Sequence, residues 1–353
     1  NNTICLYNPS PVKSSQGYST NYLQWSECNI TVTYEEAASK PSLSKTSFDM
    51  GTVVTIYTNR QSSIATHTLR YSFFSSNGTI ATGVTTSCTW MPPVSLAAQI
   101  PNATSGWGTI LCDTYVNGSL VSTNTCAFQL TVPASVAPSI SNVAISEATS
   151  GVADRFGGYV RTRSKLSVSI TATGAQGSSI SAYRTSIDSV TYSGSSFTTN
   201  ALNTAGNLTM TVTVTDSRGR TASTARTVTV LDYSPPSLSQ FAAERCNADG
   251  TAAQTDGTKV RISAKASGSS VGGKNTLACT VYYKLSSAES WVSAVTLSPS
   301  DYVITATNRL LSPTFDALSS YDIKIRVQDV FYYIEQTVSI GTKQVMMDFY
   351  KDG

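Results

Sequence analysis

Two stretches of the chain alternate apolar and polar residues in one register. SKLSVSITATG (164–174) places Leu166, Val168, Ile170 and Ala172 on one face, and TKVRISAKASG (258–268) places Val260, Ile262, Ala264 and Ala266 likewise. A period of two is the mark of a strand with one buried face. Further along, NLTMTVTVTD (207–216) aligns Leu208, Met210, Val212 and Val214 before Asp216, and SYDIKIRVQD (320–329) aligns Tyr321, Ile323, Ile325 and Val327 before Asp329. Each is followed by a turn and a partner strand ending in Val228 and Val230 or in Val338 and Ile340. These predict hairpins that close a sandwich edge.

The spacing of the copies is fixed by a tetrapeptide. Pro-Ser-Leu-Ser at 41–44 recurs as Pro-Ser-Ile-Ser at 138–141 and Pro-Ser-Leu-Ser at 236–239, intervals of 97 and 98 residues. That period is too long for a solenoid unit and matches one immunoglobulin-like domain of about 100 residues. Proline removes a backbone donor and holds the chain extended, so it suits a linker or the first residue of an edge strand. The serine follows, and the next apolar residue plants the strand on the core.

The first copy is looser. GTVVTIYTNR (51–60) and THTLRYSFF (66–74) predict strands, and residues 107–133 predict a hairpin turning at Asn117-Gly118, a pair favoured in type I′ turns. Within 107–116 two faces compete for burial: Trp107, Leu111 and Tyr115 against Ile110, Cys112 and Val116.

The expected fold class is therefore all-β, with tandem immunoglobulin-like β-sandwiches at residues 41–134, 135–233 and 234–341 in an elongated array. Residues 1–40, which include YLQWSECNITVTYEE (22–36), predict the C-terminal strands of an upstream β domain, and 342–353 predict the start of a truncated C-terminal element. VPASVAP (132–138) and LDYSPP (231–236) are short, proline-bearing linkers that should hold neighbours semi-rigidly. Strands of eight to ten residues give modules roughly 30 Å long, so three in line make a rod on the order of 100 Å.

Composition supports a folded chain: 13% of the 353 residues are charged and 40% apolar, with 18 Tyr, 10 Phe and 4 Trp to fill cores. A net charge of +3 without any Lys/Arg run argues against nucleic acid as a partner. No apolar run approaches the ~20 residues that span a bilayer. Seven cysteines, Cys5, Cys28, Cys88, Cys112, Cys126, Cys246 and Cys279, include no CxxC pair, which disfavours zinc. Buried free thiols fit best, with a Cys112–Cys126 or a Cys246–Cys279 bridge as the other readings.

Catalytic chemistry finds little to work with. The single histidine, His67, lies inside an alternating run without a G-x-S-x-G elbow, which leaves it a strand residue facing solvent or a cross-strand neighbour. Glu35-Glu36 sits at a domain boundary, and Asp216 and Asp329 each offer one carboxylate where calcium would want several oxygens, so turn capping is the better reading. GGK at 272–274 falls in a Gly/Ser loop rather than at a strand-to-helix turn. Sequons at Asn1, Asn29, Asn77, Asn102, Asn117 and Asn207 matter only in a eukaryotic secretory route. Trp107, Trp291, Tyr282, Tyr283, Tyr332 and Tyr333 are candidates for stacking on sugars or anchoring proteins, though core roles claim more than half of such residues. The expectation is no enzyme, no cofactor, no metal and no catalytic residue.

SLSKTSFDMGTVVTIYTNR, HTLRYSF, GTIATGVTTSCTWMPPVSLAAQIPNATSG and CDTY, in that order between residues 42 and 115, resemble a family of uncharacterised structural proteins of long-tailed bacteriophages of Gram-positive hosts. The resemblance runs on to KQVMMDFYKDG and covers about nine-tenths of the chain. It implies a virion tail component, a tail fibre, baseplate appendage or receptor-binding arm, trimeric, assembled in the host bacterial cytoplasm. Its partners would be other virion tail proteins and a host cell-surface glycan or protein. A bacterial surface adhesin or stalk built from the same modules is the alternative.

Overall fold

The computed structural model describes residues 38–254 and 256–342. The expected strands of 22–36, Glu35-Glu36, Asn1, Asn29, Cys5, Cys28 and the segment from 343 on lie outside the described residues.

Among the described residues twenty-three strands form six sheets. The first group comprises β1 (Ser42–Leu43), β2 (Ser47–Asp49), β3 (Val54–Tyr57), β4 (Thr66–Phe73), β5 (Ser76–Val84), β6 (Ser87–Trp90), β7 (Ser105–Val116) and β8 (Ser119–Thr131). They pair as β1-β3-β6 and β2-β8-β7-β4-β5. The second group is β9 (Ser139–Glu147), β10 (Tyr159–Val160), β11 (Leu166–Thr173), β12 (Ile180–Ile187), β13 (Val190–Ser193), β14 (Ser196–Thr198), β15 (Gly206–Asp216) and β16 (Thr221–Leu231), with a short helix α1 (Val152–Phe156) inserted before β10. Its sheets are β14-β11-β9 and β10-β16-β15-β12-β13. The third group is β17 (Ser237–Cys246), β18 (Lys259–Ser267), β19 (Ala278–Leu285), β20 (Val292–Leu297), β21 (Val303–Leu310), β22 (Tyr321–Gln328) and β23 (Tyr333–Ile340). These pair as β17-β18-β21 and β20-β19-β22-β23.

Each pair of sheets encloses its own core, so the chain is a tandem of immunoglobulin-like sandwiches. The first core is aromatic: Phe73 and Phe128 stack at 6.3 Å, and Trp90 meets Phe128 edge-on at 5.3 Å. A side chain at Gly108 would collide with the Phe128 ring, which is why that position carries none. The second core is aliphatic, built on Leu166, Val168, Met210, Val212 and Val214. The third adds Phe315, packed edge-on against Tyr321 at 5.1 Å, to Val260, Ile262, Ile323, Ile325 and Val327. The alternating faces read from the sequence are the buried ones.

The tetrapeptide has a structural reason. In all three sandwiches the strand after the proline, β1, β9 or β17, is an edge strand of the three-stranded sheet. Its apolar residue, Leu43, Ile140 or Leu238, packs against the adjoining core. In the second and third sandwiches the last serine is the extra residue of a β-bulge, since the register skips Ser141 and Ser239. The freed hydroxyls donate to the neighbouring strand, Ser141 to Thr171 O at 3.1 Å and Ser239 to Lys265 O at 3.1 Å. A bulge twists an edge and blunts it against unwanted pairing, and serine satisfies the ladder it interrupts. In the first sandwich the equivalent Ser44 Oγ accepts from Thr55 N at 3.0 Å.

Asn117 (φ 51°) and Gly118 (φ 79°) both lie in the left-handed region, as the type I′ turn between β7 and β8 requires. The competition along β7 resolves in favour of Ile110, Cys112 and Val116, all buried, while Trp107 points outward at 63% exposure. One hairpin differs from expectation: β16 is not the sheet edge, because the two residues of β10 pair with it in parallel.

Candidate functional site

Among the described residues, buried charged and aromatic side chains cluster where one sandwich meets the next. Two hairpin turns at equivalent places build these junctions, β15–β16 (216–220) and β22–β23 (329–332).

Both turns are organised by their aspartate. Asp216 Oδ1 accepts the N–H groups of Arg218 and Arg220, each at 2.9 Å, and its other oxygen accepts from Ser178 Oγ at 3.0 Å. Asp329 Oδ1 accepts from Phe331 N at 2.7 Å and Tyr332 N at 2.8 Å, with Asn275 Nδ2 on Oδ2 at 3.3 Å. Backbone capping explains the recurrence of the residue. Among the described residues no group of three or more His, Cys, Asp or Glu side chains is placed to hold a metal ion.

With its loop thus fixed, Arg218 reaches across into the first sandwich. Its guanidinium, in a residue only 7% exposed, donates to Ala97 O (2.8 Å) and Ile100 O (3.3 Å) there, and to Ala175 O (2.7 Å) and Gln176 O (2.7 Å) in its own sandwich. Burial pulls this guanidinium below its ordinary pKa, while the Asp216 carboxylate acts in the opposite sense. Ser217 Oγ donates to Pro101 O at 2.6 Å. Arg220 donates to Val136 O at 2.9 Å and to Pro133 O and Val132 O, so it clasps the linker itself. The apolar part is small: Val132 and Val136 of the linker are buried in the first core, and Ala175 packs on it from the second sandwich.

The second junction uses rings. Phe156, Val160, Tyr233 and Val271 are buried together, with Val152, Leu231, Val330 and Phe331 packed on them. Phe331 stacks on Phe156 at 5.1 Å and meets Tyr233 edge-on at 4.9 Å. Arg163 lies over both Tyr233 (4.9 Å) and Phe331 (5.1 Å). Its buried Nε–H finds no acceptor among the described residues, so here the cation serves the rings. Arg161 donates to Tyr233 O at 2.7 and 2.9 Å and pairs with Asp232 at 3.1 Å. Burial pushes the Tyr233 phenol up.

The remaining candidate residues divide by face. Tyr283 packs on the third core. Tyr282 and Trp291 lie on the outer face of the third sandwich under Lys324, whose Nζ is 5.6 and 4.5 Å from their centroids. Tyr333 is covered by Arg326 at 4.1 Å and stacks with Tyr332 at 6.2 Å. His67 corrects the solvent-facing alternative: it is fully buried, with Nδ1 2.9 Å from Val84 O on its cross-strand partner and Nε2 2.9 Å from Ser39 Oγ. Cys88, Cys112, Cys126, Cys246 and Cys279 are free thiols. Burial raises the Cys112 and Cys279 thiols to about 11. No helix among the described residues is long and apolar enough to cross a membrane.

The junction arginines were missed from sequence. DSRGRT offered a usable signal, two arginines in a tight turn at the end of a module facing a proline linker.

Residues 8–353 match the family described as Siphovirus protein of unknown function (DUF859). The chain belongs to this family. Siphovirus membership places it among bacteriophage proteins, in agreement with the resemblance carried by residues 42–115. No curated protein matches it. Among solved structures it is similar to the three N-terminal domains of the bacteriophage RB49 highly immunogenic outer capsid protein, Hoc, at 12% identity and a TM-score of 0.29, covering 86% of this chain and 95% of that one. A Ca2+-stabilized adhesin of an Antarctic bacterium aligns at 13% identity and TM-score 0.32, over 87% and 74% of the two chains. Sidekick-1 immunoglobulin domains 1–5 align at 10% and 0.32, over 86% and 58%. The fold assignment itself rests on the paired sheets described above.

Proposed function

We infer that this siphovirus protein is a structural component of the phage tail, a tail fibre or baseplate appendage, whose sandwiches space and present an element that contacts the host. The modules are taken as 41–134, 135–233 and 234–341. The observation that carries the reading is the way successive sandwiches are locked. An arm that transmits position must resist bending where its modules meet, and both junctions bury side chains from each partner, one through Arg218 and the other through Phe331. A flexible tether would instead place polar, solvated residues there. The reading extends to a homotrimer bound to other tail proteins, assembled in the cytoplasm of a Gram-positive host, and it is non-enzymatic.

Immunogold electron microscopy of purified virions, with antibody raised against the chain, tests this. Label on the tail or its tip is expected; label confined to capsids, or absent from virions, overturns the reading.

A further inference from the structure

We propose that the outer face of the first sandwich carries a binding site for a neutral glycan, centred on Arg70, Ser72 and Asn77 with Trp107 alongside. The proposal deepens the tail-component reading and rests on it only for the biological identity of the sugar's bearer. An open cleft of about 430 Å³ lies on this face, lined by Arg70, Tyr71, Ser72, Asn77, Thr79 and Leu111.

Three features make the cleft a built site. The first is a fixed guanidinium. Arg70 donates through Nε (2.7 Å) and Nη2 (2.9 Å) to Asp113, a buried carboxylate that also accepts from Thr123 Oγ1 at 2.7 Å. The fork is held at two points, yet the side chain is 42% exposed and lines the cleft, which leaves N–H groups for a ligand. The Arg70 guanidinium holds the Asp113 carboxyl below its ordinary range. The ion pair is therefore internally neutral, and the site offers no net charge to a phosphate or sulfate polymer.

The second feature is the register. The β4–β5 pairing slips on both sides of Leu69, at His67/Leu69 and again at Leu69/Arg70, and bulges of this kind re-aim side chains. Beyond the slip the pairing is regular, which places Ser72 opposite Asn77 and Arg70 opposite Thr79 on one face. β7 lays Leu111 opposite Arg70 on the same face. A hydroxyl, an amide and a fixed guanidinium beside the apolar Leu111 are what a sugar ring needs, with its equatorial hydroxyls and apolar C–H face.

The third is the tryptophan. Trp107 lies on the outer face of β7, two positions beyond Thr109, the partner of Ser72. It is 63% exposed, whereas Trp291, Tyr282 and Tyr333 on the third sandwich each have a cation over the ring. Among the described residues no cation lies over the Trp107 ring, and an indole so exposed can stack on a second sugar unit.

The test uses the full chain and an immobilised panel of neutral oligosaccharides ending in glucose, galactose, rhamnose or N-acetylglucosamine, with heparin and polyphosphate as polyanion controls. At least one neutral oligosaccharide should bind, with affinity lowered tenfold or more by Asn77→Ala and by Trp107→Ala. Both lie on the surface and leave the fold intact, which circular dichroism verifies. Arg70→Lys, which keeps the charge and loses the fork, should weaken binding similarly, and Trp291→Ala on the third sandwich should not. No binding to any neutral sugar at millimolar concentration, binding of polyanions alone, or binding unchanged in Asn77→Ala and Trp107→Ala each overturns the site. Label absent from virion tails overturns the tail reading while leaving a positive sugar result in force, so the two failures are separable.

Discussion

The two junctions occupy the same place in the repeat and are made of opposite chemistry. Between the first and second sandwiches, Arg218 spends its donors on four main-chain carbonyls drawn from both partners. Between the second and third, Phe331 enters a pocket of rings, and Arg163 lies across them as a cation over two π faces. In each the turn is pinned by its aspartate, Asp216 or Asp329, so the backbone that presents the locking side chain is conserved in form while the side chain is not. What the fold supplies is a rigid platform two residues past an aspartate. Whether the platform holds a guanidinium or a ring follows what the neighbouring end displays: the carbonyls of Ala97 and Ile100, each with room for a second donor, or Phe156 from the inserted helix α1.

The sharpest way to break the comparison is Arg218→Ala. It removes four charge-assisted bonds from a closed interface, a loss of about 3 kcal/mol even though the carbonyls of Ala97 and Ile100 keep their main-chain donors, Ile100 N and Ala103 N. Hydrogen exchange should show residues 97–103 and 175–178 opening more easily by that amount, with the second junction unchanged. Phe331→Ala comes next. Removing a partly buried ring that touches two others costs about 2 kcal/mol, and exchange should rise around 156–160 and 271–275 while 97–103 stays protected. An equal loss at both junctions from either variant would contradict their independence.

Titration separates the sandwiches in a different way. The buried Cys112 and Cys279 thiols have folded pKa values of about 11 against an ordinary 9.0, and no cysteine occurs between 135 and 233. A raised thiol pKa means the unfolded chain releases its proton first. The stabilisation is thus complete below pH 9 and is lost as pH climbs towards 11, by roughly 2 kcal/mol per thiol. Urea unfolding followed sandwich by sandwich should therefore show the first and third weakening across this interval through their thiols. Cys112→Ala should reduce that pH dependence in the first, where burial also raises the Cys88 and Cys126 thiols, and the second should lack this component.

Much of the fold was legible because sandwich strands obey a period of two and because the repeat fixed the module length. Leu166–Val168–Ile170 and Val260–Ile262–Ala264 needed nothing beyond alternation. Asn117-Gly118 was legible because few residue pairs tolerate two positive φ angles. The buried face of β7 was not, since Trp107, Leu111 and Tyr115 are as apolar as the residues that won; Gly106 and Gly108, where Phe73 and Phe128 press inward, were the overlooked signal. For His67 the cross-strand reading holds at Val84, and only the solvent-facing alternative fails, because its other partner, Ser39, is far off in sequence. DSRGRT hints that arginines sit at a module end, but which carbonyls Arg218 meets there, those of Ala97 and Ile100 more than a hundred residues away, is not written locally. For the outer-face cleft, the β4–β5 slip that aims Arg70 is a property of pairing and invisible to composition.

Dipolar electron resonance between spin labels at Thr125 on β8 and Thr227 on β16, exposed strand positions in the first and second sandwiches, tests the central claim most directly. A locked junction predicts a single narrow distance distribution that broadens in Arg218→Ala. A distribution already broad in the unaltered chain, and unmoved by the substitution, would contradict it.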